Sequence, residues 1–155
     1  MNFSQFSIAD IVNCGLLLVA IIGIFLTLKQ IKNANLTQKA TFFKELYSDF
    51  FSDPDIRNAY YKIEYNKFKY NSKFHGSKDE IEVDRLLSFV DLICNLYIKG
   101  ILSNQEMESF KYEFLRIHNN ISYQSYMNIL ERFYELNKIK IKPFVHFQNY
   151  CLKIK

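Results

Sequence analysis

The stretch Ile11–Leu28, IVNCGLLLVAIIGIFLTL, carries no charged side chain, and Asn13 and Thr27 are its only strongly polar members. At about 1.5 Å of rise per residue it makes about 27 Å of helix, against roughly 30 Å of bilayer hydrocarbon. With its flanking residues it is long enough to span. The alternative, a buried core helix of a soluble protein, would normally show a polar face. A cleavable signal peptide would place positive charge before the apolar run and a small-residue cleavage site after it. Here no Lys or Arg precedes Lys29, and the exit carries Lys29, Lys32, Lys39 and Lys44. The segment therefore reads as a retained span. Lysines behind it predict an N-terminus outside and the bulk of the chain in the cytoplasm.

The expected organisation is a transmembrane helix within residues 1–35 and a helical bundle over residues 36–155, large enough for one modest core. Beyond the span, Phe42, Phe43, Leu46, Phe50 and Phe51 recur at helical steps, and no proline or glycine interrupts the pattern between Lys29 and Pro54. One long helix is expected to leave the membrane and enter the bundle. Ser52 or Asp53 caps the next helix, with Pro54 where a missing N–H costs least. The polar stretch Asn66–Asp79 reads as the one long loop. A helix over Asp79–Lys99 stops at Gly100. Ser103 and Glu106 form a capping box for a helix reaching about Asn119. A further helix covers SYQSYMNILERFYELNK, and a short one begins near Pro143. Nothing alternates with period two, so the fold class is all-α, a bundle of about five helices behind the span.

Composition excludes several chemistries. Cys14, Cys94 and Cys151 show no zinc or redox spacing, and His75, His118 and His146 stand far apart without an HExxH motif. With four glycines in the chain there is no phosphate-cradling loop. No metal or other cofactor is expected. The chain carries a formal net charge of +4, and Lys138, Lys140, Lys142, Lys153 and Lys155 gather at the end. Such a tail reads as a solvated chain end, or as a contact for anionic headgroups or RNA. Asp84, Ser88, Asp91 and Asn95 form a polar stripe on an otherwise apolar helix. It is either a solvated face or a sign that Asp91 is buried and paired, with Arg57 or Arg85 as partner.

In the span, Asn13, Ala20 and Thr27 repeat at seven, and Gly23 lies on nearly the same side. Small and polar residues on one face favour close helix association, because lipid gives apolar helices no drive of their own to pair. A ring of such helices could line a narrow pore; plain anchoring is the alternative. Arg57 and Asn58 invite comparison with HEPN-type nucleases, whose site resembles Arg, a polar residue, a short spacer and His. There the His moves a proton from the ribose hydroxyl while Arg steadies the phosphate. Here Lys62 stands where the shortest spacing wants His, and a lysine of ordinary pKa cannot act as a base at neutral pH. Arg116 and His118 have the wrong spacing. An RNA-cleaving or RNA-binding module is therefore the lesser reading and a non-enzyme the greater, with an anchored scaffold that docks a cytoplasmic partner as a further alternative.

The span, followed by QIKNANLTQKATFFKELYSD, DPDIRNAYY, VDRLLSFVDLICNLYIKGILSNQEM and PFVHFQNYC, resembles a broad group of small single-span bacterial proteins of mostly unassigned function. Within it, the chain looks most like the small membrane accessory proteins of type VI-B CRISPR systems. The resemblance implies a homo-oligomer in the bacterial inner membrane, whose N-terminal helices form a pore above a degenerate HEPN-like cytoplasmic bundle. It further implies that the pore depolarises the membrane and strengthens antiphage defence once an RNA-guided, RNA-targeting effector nuclease has fired. The expected partners are the chain itself, membrane lipids and, functionally, that effector.

Overall fold

The computed structural model describes residues 8–154, with backbone alone at residues 8–11 and 14; Lys155 of the basic tail lies outside the described residues. Seven helices are present among them: α1 (Ile8–Ser52), α2 (Pro54–Glu64), α3 (Lys78–Ile98), α4 (Asn104–Glu108), α5 (Lys111–His118), α6 (Ile121–Leu136) and α7 (Val145–Ile154). No strand occurs among the described residues. The chain divides into two compact units, residues 1–44 and 45–155. That division falls within α1. The first unit holds most of α1, one helix of 45 residues with no interruption.

The helix boundaries in the second unit follow local chemistry. Asp53 caps α2, its carboxylate accepting from the N–H groups of Asp55 at 2.9 Å and Ile56 at 3.2 Å, and Pro54 takes the first helical position. Ser77 caps α3 by accepting from the Glu80 N–H. Gly100 turns the chain after α3 at φ +73°, a conformation that costs glycine little. The capping box forms as expected: Ser103 Oγ accepts from the Glu106 N–H at 3.3 Å, while Glu106 Oε2 accepts from the Ser103 N–H at 2.6 Å.

The single helix expected from Ser103 to about Asn119 is instead two, α4 and α5, so that six helices rather than about five stand behind α1. The N–H groups of Ser109 and Phe110 bond three residues back, to Glu106 and Met107, and Phe110 sits at φ −107°, ψ −2°. Packing explains the break. The fully buried Phe110 ring meets Phe50 at 6.1 Å, Tyr47 at 5.5 Å and Phe114 at 5.6 Å between centroids. A continuous helix would carry that ring round with its own phase.

The core of this unit is built on α3, which packs chiefly against α2 and α7, with α5 behind them. Val83, Leu86, Leu87, Val90, Ile93 and Cys94 form the buried face of α3. Phe50, near the end of α1, is fully buried against Tyr60 of α2, Phe89 of α3 and Phe110. Aromatic pairs of this kind add roughly 0.5–1.5 kcal/mol each beyond their area. Replacing Phe50 with Ala in the full chain should therefore cost about 3–5 kcal/mol in a denaturant titration in detergent. A loss under about 1 kcal/mol would show that the cluster refills the space.

Candidate functional site

On α1 the face expected to mediate association consists of exposed positions. Asn13, Ala20, Gly23 and Thr27 are all uncovered within the chain, and nothing approaches within 4 Å of where a Cβ would stand on Gly15 or Gly23. The glycines thus leave room for a close neighbour. Thr27 is satisfied by its own helix, since its hydroxyl donates to the Gly23 carbonyl at 2.8 Å. This leaves the exposed Asn13 amide as the polar group of the stripe that hydrocarbon would penalise most.

The nuclease-like positions lie on α2. Arg57 is exposed, and among the described residues no ion pair joins it to Asp91. Asn58 and Lys62, one turn apart, both point to Glu82 of α3. Lys62 Nζ donates to Glu82 Oε2 at 2.5 Å and to Asp79 Oδ1 at 2.6 Å. Asn58 Nδ2 reaches Glu82 Oε1 at 3.5 Å, and Lys78 Nζ lies 3.4 Å from the same oxygen. Glu82 is 1% exposed, so these contacts replace the water it has lost. Burial works to lower the Lys62 pKa, but hydrogen bonds to Asp79 and Glu82 outweigh it and hold the ammonium above its ordinary value. The Lys62 amine is thus a protonated member of an ion-pair network.

The polar stripe of α3 is not simply a solvated face. Half-buried Asp91 accepts from the Phe147 N–H at 2.9 Å and so caps the start of α7 from another helix. The pair Arg57–Asp91 is replaced by this contact, and Arg85, the other candidate partner, binds Asp53 with its Nε at 2.9 Å and an Nη at 2.6 Å. Asp84 accepts from the Tyr126 hydroxyl at 2.6 Å. Burial raises its pKa, and that hydrogen bond opposes the rise. Only Ser88 of the stripe is fully exposed.

Arg116 and His118 do not converge. Arg116 donates to Glu64 Oε2 at 2.8 Å, whereas His118 is buried beside the rings of Tyr123 and Phe147. Glu64 also accepts from the Tyr112 hydroxyl at 2.8 Å, and these two hydrogen bonds, Arg116 first, hold its carboxyl below the usual range. Next to Arg116 a cavity of about 380 Å³ is lined by Asn66, Lys69, Asn119 and Asn120 over Ile63 and Phe68. Cys94 and Cys151 are buried, and burial pushes the Cys94 thiol up, with Cys151 adding to the effect. Among the described residues no group of three or more His, Cys, Asp or Glu could hold a metal ion. Comparison with family models, curated proteins and solved structures gives no match.

The key residue not foreseen was Glu82. Its signal was present but ambiguous, because it sits in EIEVDRLL beside Ile81, which hydropathy alone would bury in its place. Two outcomes follow from the geometry. Lys62→Met should destabilise the chain by about 1–3 kcal/mol, discounted because the lysine side chain is 33% exposed. Adding Glu82→Leu should recover most of that loss, because the stranded carboxylate is then gone; a double variant as unstable as the single one would count against the pairing. The stability drawn from Glu64 is present above its unfolded pKa of about 4.3 and lost as pH falls through its lowered folded value. Arg116→Met should thus be less stable than the parent chain at pH 7, with the gap closing below about pH 4 in acid titrations.

Proposed function

We propose that the chain is a membrane protein that works without catalysis, by assembling copies of itself through α1. One observation carries this reading. Gly15–Ser52 is the one helix among the described residues long and apolar enough to cross a membrane, and no residue of its apolar window is buried. Leu16, Leu17, Leu18, Val19, Ile22 and Phe25 are uncovered by the rest of the chain. Contiguous apolar surface of that size needs lipid or another chain to cover it. In this reading the leucine, isoleucine and phenylalanine side chains meet lipid. The face of Asn13, Ala20, Gly23 and Thr27 meets its counterparts, where the Asn13 amide finds hydrogen-bond partners.

The resemblance to type VI-B accessory proteins extends the proposal to a narrow inner-membrane pore, N-terminus outside, that depolarises the membrane during RNA-guided defence. The bundle is then a HEPN-like domain without nuclease activity. What supports that part is the state of Lys62, whose amine is held by Asp79 and Glu82 and, being protonated, accepts no proton from a ribose hydroxyl.

Mass photometry of the full chain in nanodiscs, beside the variant with Asn13, Ala20, Gly23 and Thr27 all changed to Leu, tests the assembly. The expected result is a multi-subunit particle that the four changes dissociate, with ion flux across vesicles lost in parallel. A monomer in both preparations overturns self-assembly and leaves α1 as an anchor. An assembled particle that conducts nothing removes the pore alone.

A further inference from the structure

We propose that Leu136–Lys142, the connection leaving α6, is a membrane-surface contact that seats its isoleucines among anionic phospholipid headgroups and its lysines on their phosphates. The proposal rests on the reading that α1 holds the chain in a membrane. Its own support comes from the second unit. Helix α6 ends at Leu136; the Asn137 side chain donates to the Phe133 carbonyl at 2.8 Å, and Lys138 turns the chain at φ +56°. All seven residues from 136 to 142 are exposed, after which Pro143 is buried. Leu136 is 84% and Ile141 71% exposed, and Ile139 and, one turn back on α6, Phe133 are also uncovered.

A single exposed Leu or Ile is ordinary. Four large apolar residues around one turn, alternating with Lys138, Lys140 and Lys142, are not. That combination suits the headgroup boundary, where apolar side chains enter the acyl edge while lysine stems lie along it and their ammonium groups reach phosphate. The acidic residues close in sequence are Glu131 and Glu135, and Glu131 is already met by Lys142 at 3.8 Å.

The same features weigh against other occupants. Two copies meeting through this segment would set lysines against lysines. An RNA strand would use the lysines but gain nothing from Leu136, Ile139 and Ile141, and the rings there on which a base could stack are Phe133 and the half-buried Tyr134 beside it. Anionic lipid uses both halves of the pattern. A chain already tethered to the bilayer also needs little intrinsic affinity for the contact to form, because tethering makes the encounter intramolecular.

The test uses the full chain, with Cys14→Ser and Ile141→Cys, labelled at residue 141 with a polarity-sensitive fluorophore; Cys94 and Cys151 are buried and remain unlabelled. It is reconstituted in phosphatidylcholine vesicles with and without about one third phosphatidylglycerol, a strongly anionic surface. The expected result is blue-shifted emission, quenched by quenchers carried on lipid tails, in the anionic vesicles. Changing Lys138, Lys140 and Lys142 to Gln should weaken this contact roughly tenfold or more. A label at Glu108 should stay in water throughout. A label at 141 that stays wet in both vesicles, while the chain resists carbonate extraction, overturns the surface contact and leaves the membrane reading intact. Extraction by carbonate overturns both. Burial that ignores lipid charge and comes with crosslinks between residues 141 of two copies, or burial that appears only with added RNA, also overturns it.

Discussion

Three carboxylates on one helix organise the second unit. On α3, Glu82 holds α2 through Lys62 and Asn58, Asp84 holds α6 through the Tyr126 hydroxyl, and Asp91 holds α7 through the Phe147 N–H. Apolar burial along Val83, Leu87, Val90 and Cys94 supplies most of the cohesion but little direction, because burial is proportional to area and indifferent to register. The carboxylates supply direction. Each accepts from one donor, or one set of donors, on a different helix, and a neighbour that slid by a turn would leave a partly dehydrated charge behind. Removing a single partner from such a charge costs more than the intact pair contributes, which makes misalignment costly even where alignment adds little net stability.

The aromatic residues solve a different problem. The chain has no tryptophan but 15 phenylalanines and 11 tyrosines, and it must join the end of a 45-residue helix to several shorter ones. Phe50 touches rings contributed by α2, by α3 and by the break between α4 and α5. Large flat side chains tolerate several tilt angles at similar separations, as the spread from stacked to edge-on contacts here shows. The junction is therefore filled without requiring the helices to cross at one preferred angle. Phe110 illustrates the exchange between levels of structure: a turn of helix is given up so that one ring reaches the cluster.

The parts of this architecture legible in the sequence are those set by near neighbours. Asp53 with Pro54, Gly100 and the Ser103–Glu106 box act within four residues, and each stands where local chemistry puts it. The parts that were not legible depend on distant partners. Ile81 is 63% exposed and Glu82 1%, an inversion that hydropathy cannot foresee, because the phase of α3 is set by Val83, Leu86, Leu87 and Val90 together. Given that phase, Glu82 must be inside, and it is tolerated because Lys62 arrives from a helix twenty residues earlier in the chain. The role of Asp91 was hidden for a related reason. Its partner is a backbone N–H at Phe147, and a backbone donor leaves no residue-type signature. At Lys62 the sequence showed only a lysine close to Arg57 and Asn58, whereas the structure shows its amine held by Asp79 and Glu82.

Two runs of uncovered apolar side chains, one on α1 and one after α6, differ in chemical kind, and the difference bears on function. Along α1 the exposed leucines, isoleucines and Phe25 run through a stretch without a charge, and the polar Thr27 satisfies itself within the helix. Hydrocarbon accepts such a surface except at the Asn13 amide, which would still need a hydrogen-bond partner there. Between Leu136 and Lys142 the exposed apolar side chains alternate with lysines, which hydrocarbon would exclude and water alone would leave half used. A protein that met only water has reason to bury or replace both kinds. One that met only another protein would have little reason to keep the two so cleanly separated by charge. A bilayer presents both environments, an uncharged interior and an anionic boundary, and a chain facing both would sort its exposed apolar residues in the way this one does.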